Sequence, residues 1–240
     1  NNMSKLYKIL IAGVVAITFS FGSANSFEGS GLSIGIIGSN ATFNASGSER
    51  ERAGALSTGS LESQGTNSED VSFPSIFIEY TGGDVGGFIG TYGLELIPGT
   101  HSIGSKSRTE DDTHSALDDD GTYTGKAEVE NHVTLYVEPG YTFNESVTLY
   151  GKVGINHMTV NSLESIDFGA ASSSYGNVDV IGGMYGAGIK YNTSSGIFLK
   201  LEHTINEYEQ VVLSSTTGNQ NLIKADIDSE ATRLALGYNF

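Results

Sequence analysis

The stretch His132–Ile155, HVTLYVEPGYTFNESVTLYGKVGI, holds two runs of period-two alternation on either side of a turn. In the first run Val133, Leu135, Val137, Pro139, Tyr141 and Phe143 share one face, opposite His132, Thr134, Tyr136, Glu138, Gly140 and Thr142. In the second, Val147, Leu149, Val153 and Ile155 lie opposite Thr148, Tyr150, Lys152 and Gly154. Successive side chains of a strand point to opposite faces, so each run predicts a strand with one apolar side. Asn144, Glu145 and Ser146 between them predict a tight hairpin.

The same grammar extends in both directions. Ile76, Ile78 and Tyr80 oppose Phe77 and Glu79, and a Gly-rich turn at Thr81–Gly87 leads to Phe88, Tyr92, Leu94 and Leu96, opposite Thr91, Gly93 and Glu95. Tyr185, Ala187, Ile189 and Tyr191 alternate with Met184, Gly186, Gly188 and Lys190. A turn at Asn192–Gly196 then leads to Ile197, Leu199 and Leu201, opposite Phe198, Lys200 and Glu202. From Ala231 to Phe240, Leu234, Leu236, Tyr238 and Phe240 oppose Arg233, Ala235, Gly237 and Asn239. Near Leu32, Ile34 and Ile36 the phase changes at Ile37, which predicts a bulge there. The total is about eight strands near the ~9–11 residues that a tilted strand needs to cross a bilayer. The stretches Thr81–Gly87, Asn144–Ser146 and Asn192–Gly196 are short, whereas Ala45–Asp70, Gly99–Gly125, Asn161–Asn177 and Asn206–Ala225 read as long polar loops. Short turns at one end and long loops at the other fit an all-β, eight-stranded antiparallel up-and-down transmembrane β-barrel with the short turns in the periplasm.

Composition narrows the function classes. The chain has 32 Gly, 3 Pro, no Cys and no Trp, which removes disulfides, thiolate metal sites and cysteine nucleophiles. A formal charge of −16 argues against nucleic acid as a partner. Acids gather at Glu110, Asp111 and Asp112 and again at Asp118, Asp119 and Asp120, which read as solvated loops. Residues 1–26 carry Lys5 and Lys8 before an uncharged run from Ile9 to Phe21, then Ala24 and Ser26 at the −3 and −1 positions of a small-residue cleavage site. That is the pattern of a cleaved signal peptide, with cleavage after Ala24 as the alternative, and leaves 27–240 as the barrel domain.

The charges decide which face meets lipid. Glu79, Glu95, Glu138 and Glu202 share the polar faces with Lys152, Lys190, Lys200 and Arg233. A charge facing hydrocarbon costs a few kcal/mol, whereas opposite charges inside a narrow barrel can pair. The aliphatic faces are therefore expected against lipid, and the charges in a self-compensating interior network where Arg233 meets acids such as Glu138 or Glu202. Tyr80, Tyr141, Tyr191, Tyr238 and Phe143 fall near the short turns, where an interfacial aromatic girdle belongs.

With VEPGYTFNESVTLYGKVGI (137–155), LKLEHTI (199–205) and the terminal LALGYNF (234–240), the chain resembles the small eight-stranded outer-membrane barrels of the OmpX-like, OmpA transmembrane-domain and opacity-protein type. The resemblance covers essentially all of 27–240. It implies the outer membrane of a Gram-negative bacterium, with Leu234, Leu236, Tyr238 and Phe240 as the signal read by the barrel-assembly machinery.

Chemistry is sparse. His157 and Thr159 point the same way at the upper end of a strand and faintly resemble the His/Ser pair of a barrel lipid A deacylase, but no acid can be assigned to them. His101, His114, His132 and His203 show no metal-ligand spacing. Aligning Gly121 with the invariant glycine of a calcium loop puts Ala116 and Ala127 at ligand positions, so that reading fails. Loose binding of divalent cations, bridging acidic loops to lipopolysaccharide phosphates, stays open. No cofactor is expected. The expected role is non-enzymatic: a monomeric barrel with long acidic extracellular loops doing structural or surface-interaction work such as adhesion or envelope integrity, through an extracellular protein or surface ligand. A narrow porin-like channel is the alternative, and a lipid-modifying enzyme the third class.

Overall fold

The computed structural model describes residues 30–50, 62–110, 121–144, 146–166, 174–214 and 222–240. The expected signal segment 1–26 and the acidic residues Asp111, Asp112 and Asp118–Asp120 lie outside them. Ten strand segments follow in order: β1 (Gly31–Arg50), β2 (Glu62–Val85), β3 (Phe88–Ile97), β4 (His101–Glu110), β5 (Gly121–Thr142), β6 (Val147–Ile166), β7 (Ser174–Asn192), β8 (Ile197–Tyr208), β9 (Val211–Ser214) and β10 (Leu222–Asn239). β3 with β4, and β8 with β9, are each one stave broken by a short irregularity, so ten segments make eight staves. Neighbouring staves are antiparallel, and β1 pairs with both β2 and β10, which closes the sheet into a barrel.

Closure can be followed residue by residue. Starting at Val147, the paired positions run through Tyr191, Leu199, Leu236, Ile36, Ile76, Leu96 and Val133, and return to β6 at His157. The return point is displaced ten residues along the same strand. For an eight-stranded barrel that shear corresponds to a strand tilt of about 40°, with an interior that side chains fill.

At the lower end the turns are tight. Gly86 and Gly87, at φ of 66° and 90°, form a two-residue turn between the paired Val85 and Phe88. β2 thus runs further into the expected turn 81–87 than the sequence suggests, with an irregularity between Gly82 and Val85. Asn144 accepts from the backbone N–H groups of Ser146 and Val147 at 2.9 and 3.0 Å, which locks the second hairpin. Thr193 N–H donates to Ile197 at 2.9 Å in the third.

The upper half corrects the sequence reading. Most of the described residues in the four stretches expected as long loops are strand: β1 continues to Arg50, β2 begins at Glu62, and β4, β9 and the upper parts of β5, β6, β7, β8 and β10 supply the others. The staves therefore continue past the belt of exposed apolar residues. From Asn40 to Arg50, β1 rises about 25 Å further, given ~3.3 Å per residue at this tilt.

The expected bulge at Ile37 is also absent, because β1 pairs without a break with both neighbours from Ser33 to Arg50. What changes there is the chemistry of the two faces. Leu32, Ile34 and Ile36 point outward and are exposed, and the same outward face continues upward with Asn40, Thr42 and Asn44. Inward, Ser33 and Ser39 give way to Ala41 and Phe43. The pleat is continuous, and its polarity inverts where lipid gives way to water. The true irregularity lies in β5 between Glu130 and Val133, where Asn131 takes a φ of 53°.

Above the belt the inverted pattern builds a second core. Ala41, Phe43, Ile103, Val129, Met158, Val180 and Ile227 belong to one buried apolar cluster. Around it the staves separate into two walls. The upper part of β2 pairs only with β1, β4 only with β5, the top of β7 only with β6, and β9 only with β10. The first seam opens where Pro74 and Pro98 come opposite each other, just above the last pair Ile76–Leu96. Neither proline has an N–H to continue a ladder. Tyr175 on one wall donates to Glu49 on the other at 3.1 Å. The extension is thus a water-exposed sandwich growing out of the barrel.

The inversion has a direct consequence for charge scanning along one face of β1. Ile36→Lys is expected to lose about 2–4 kcal/mol of folding stability in liposomes, and Asn44→Lys, on the same face but higher, well under 1 kcal/mol. Urea titration followed by heat-modifiable gel mobility measures both; equal losses would place the two positions in the same medium.

Candidate functional site

The interior below the sandwich is a chain of alternating charges. All eight residues assigned to it from sequence are buried, with Lys152 only 1% exposed. The Lys200 ammonium contacts Glu79 and donates to Glu138 at 2.7 Å. Lys152 lies 3.1 Å from Glu138 and 3.0 Å from Glu202. Arg233 reaches Glu202 at 3.1 Å through Nη1 and pairs with Glu95 through Nη2. The order Glu79–Lys200–Glu138–Lys152–Glu202–Arg233–Glu95 crosses the lumen and alternates in sign throughout.

Neutral donors hold the carboxylates in place. Tyr136 donates to Glu79 at 2.6 Å, Tyr150 to Glu202 at 2.9 Å, and Ser75 to Glu95 at 2.6 Å. Both tyrosines need glycine beside them. A Cβ on Gly93 would stand 2.2 Å from the Tyr136 ring, and one on Gly188 would stand 2.5 Å from the Tyr150 hydroxyl. These inward glycines make the space in which the aromatic rings lie flat across the lumen. Lys152 also sits over the Tyr136 ring at 3.9 Å. Removing a charge from water is costly, and the ladder compensates by giving each of its seven members an opposite partner.

Two details depart from the sequence reading. Arg233 uses Glu95 and Glu202, whereas Glu138 belongs to the two lysines. Lys190 stands at the lower end over the Phe198 ring, 4.0 Å from its centre. Sequence alternation places Tyr136 and Tyr150 only on a polar face; their role depends on which strands face each other across the lumen, and alternation does not encode that.

The remaining candidates are dispersed. Leu234, Leu236, Tyr238 and Phe240 are exposed on the outer wall, with Tyr238 and Phe240 edge to face at 5.2 Å. At the short-turn end, Tyr141 packs edge-on against Phe88 at 5.0 Å and Phe143 at 5.2 Å. His157 lies on the outer wall with Nε2 3.9 Å from Asp179. The acid that sequence could not assign is Asp179, but it accepts the Thr159 hydroxyl at 2.8 Å. That hydrogen bond directs the hydroxyl proton to the carboxylate and not to an imidazole, the reverse of a nucleophile–histidine relay. His101 bonds the Pro98 carbonyl at 3.0 Å, His132 faces Tyr208, and His203 lies 3.4 Å from Thr232, while His114 is outside the described residues. Among the described residues no three His, Asp or Glu side chains gather as a metal site.

An outer belt of aliphatic and aromatic side chains around a closed, charged interior is the arrangement of a barrel that spans a bilayer, and the tight turns at one end make it one of outer-membrane type. No family model and no curated protein sequence matches the chain. Among solved structures it is similar to Ail, the attachment invasion locus protein of Yersinia pestis, at 12% identity and a TM-score of 0.34 over 82% of this chain and 98% of that one. It is also similar to Neisserial surface protein A, at 11% and 0.39 over 88% and 98%. A third similar structure is the outer membrane protease OmpT of Escherichia coli, at 12% and 0.43 over 91% and 99%. Likeness at this level is loose, and the class rests on the chain's own geometry.

The ladder makes an asymmetric prediction. Arg233→Ala strands Glu95 and is expected to cost about 3–5 kcal/mol, the usual penalty for breaking a buried pair. Lys190→Met, at a position whose ammonium sits over the Phe198 ring and makes no salt bridge among the described residues, is expected to be near neutral. Denaturant unfolding in detergent micelles separates the two.

Proposed function

We propose that this chain is a non-enzymatic outer-membrane barrel whose work is done outside the cell by the rigid sandwich it carries, in adhesion or envelope integrity. The observation that carries this reading is the division of labour along the barrel axis. The lumen is filled by paired charges, while the staves continue beyond the lipid belt at full strand regularity and acquire an apolar core of their own. A protein that only needed a membrane plug would gain nothing from some 25 Å of extra sheet on the ~3.3 Å per residue scale.

The outward face of that sheet is polar and acidic. Across β10, β1 and β2 its rows read Asp228, Asn44, Ser68; Glu230, Thr42, Asp70; and Thr232, Asn40, Ser72. Neighbouring hydrogen bonds knit the rows, with Thr42 donating to Asp70 at 2.6 Å and Asn44 to Asp228 at 3.0 Å. Glu230 and Asp70 stand two positions above the polar row that caps the lipid belt. In this reading they lie at headgroup height, where divalent cations would bridge them to lipopolysaccharide phosphates. The higher rows would meet a protein or other surface ligand.

The rest of the reading follows from export to that membrane. Residues 1–26 act as a signal peptide that is removed, and the outward Leu234, Leu236, Tyr238 and Phe240 serve as the signal for the barrel-assembly machinery. The short turns face the periplasm, and the barrel works as a monomer.

Two measurements, one on the purified chain and one on cells that display it, test the proposal together. Planar bilayers containing it should stay electrically silent. The combined change Asp70→Lys, Asp228→Lys and Glu230→Lys should lower whole-cell binding to host or abiotic surfaces by about tenfold with gel mobility unchanged, because opposed charge on a rim is what such contacts read. Steady conductance would make the protein a channel, and unchanged binding would remove the acidic face from its function.

A further inference from the structure

Between the charge ladder and the apolar core of the sandwich lies a small polar chamber of about 20 Å³. Its floor is the Arg233–Glu95 pair, and its walls include His132, Tyr208, Asn206 and Ser229. Tyr208 is 5% exposed, and its hydroxyl lies beside Asn156 and Ser229 without a hydrogen bond of normal geometry to any described residue. His132 Nε2 is likewise out of solvent and unpartnered, with the two rings 6.3 Å apart, edge to face. On the neighbouring wall Asn156 donates to Asn206 at 2.7 Å, and Asn206 donates to Ser229 at 3.1 Å, while the Asn156 side-chain oxygen has no partner. Two buried polar groups therefore face a space too small for an organic ligand. A space of ~10–15 Å³ suffices for one water, and such a water needs two to four polar partners.

We propose that this chamber is a hydration site that takes ordered water as its ligand, and that water reaches it sideways through the β2–β4 seam. The axial routes are closed on both sides. Below, Arg233, Glu95, Glu202 and Lys152 are in mutual contact or linked through one carboxylate. Above, Phe43, Val129, Met158 and Ala231 belong to the apolar cluster. Sideways, a second cavity of about 10 Å³ shares Phe43, Phe73, Ile97 and His132 with the chamber and continues to Gly99 and His101. Gly99 is exposed and holds a φ of 88° at the break between β3 and β4, just above the last β2–β3 pair, Ile76–Leu96. Phe73 and His101, with ring centres 5.5 Å apart, form the cover of this side path. His132 is half-buried although its Nε2 is enclosed, as expected of a residue standing between the path and the chamber. The water would accept from or donate to His132 Nε2 and the Tyr208 hydroxyl, and complete the hydrogen bonding of these two side chains.

Water-edited solid-state NMR of the full chain in lipid bilayers tests both halves. Magnetisation from water should build up on the His132 and Tyr208 rings about fivefold or more faster than on the Met158 and Ala235 methyl groups, which have only packed neighbours. Equal build-up at all four would overturn the hydration site. Phe73→Trp narrows the side path and should slow the build-up at His132 with unboiled gel mobility unchanged, and His101→Tyr serves if that variant does not fold. Build-up unchanged by a folded variant of either kind would overturn the sideways route. Tyr208→Phe should reduce the signal at His132, and a signal there that persists undiminished would remove Tyr208 as a ligand.

Discussion

Inside a bilayer there is no water to satisfy an unpaired backbone N–H or C=O, so a sheet that crosses it must close on itself. Everything else in this protein follows from how that closure is made. A return displaced by ten residues fixes the tilt and the bore, and the bore is narrow enough that side chains must fill it. Aromatic rings fill much of the width because glycines on facing strands leave room for them, as Gly93 does for Tyr136. The charges occupy what is left, and in so small a space seven of the eight touch an opposite one, with Lys190 over the Phe198 ring instead. The ladder is thus a consequence of shear and glycine placement as much as of the charges themselves.

The same closed sheet passes from hydrocarbon into water without changing its pleat. Outward residues on β10 run from Tyr238, Leu236 and Leu234 to Thr232, Glu230 and Asp228, while inward ones run from Arg233 to Ala231, Ser229 and Ile227. Each face exchanges character at nearly the same height. Below it the hydrophobic effect acts only through the lipid on the outside, and above it through a dry interior. Once water covers the outside, backbone groups at a strand edge can be solvated, and closure is no longer compulsory. The ladder between β2 and the third stave stops at the level where Pro74 faces Pro98, and the upper sheet parts into two walls.

How much of this was legible depended on the contrast between the two faces. In the lower half the contrast is large. Leu135 and Val137 beside Tyr136 and Glu138 can be read without any knowledge of partners, and so can the hairpin at Asn144. In the upper half many outward positions are Ser, Thr, Asn, Asp or Glu and many inward ones are as small as Ala41, Ala231 and Ser229, so alternation is weak and the stretches resemble loops. Ile36 and Ile37 look like a slip of phase because one is outermost in lipid and the other joins Phe77, Phe198 and Ala235 inside. The bulge that does exist is marked by Asn131, a residue type that tolerates positive φ, but a lone Asn in a polar strand carries little signal.

Register was the other limit. Sequence alternation puts Glu138 and Arg233 on inward faces without saying at what height they stand or across from what. Their separation in the ladder, with Lys152 and Glu202 between them, is set by pairings such as Arg233 with Glu202 and Glu202 with Gly188, each fixed by turns far away in sequence. The seam has the same origin. Pro74 and Pro98 are unremarkable singly, and only a register in which Ile76 meets Leu96 brings two residues without N–H groups opposite each other. The small polar chamber lies at that level because it is the layer where lipid-facing order ends, the charges stop and the apolar core has not yet begun. A layer that belongs to neither solvent regime cannot be filled well by either kind of side chain, and this is why its hydrogen bonding is left open at Tyr208 and His132.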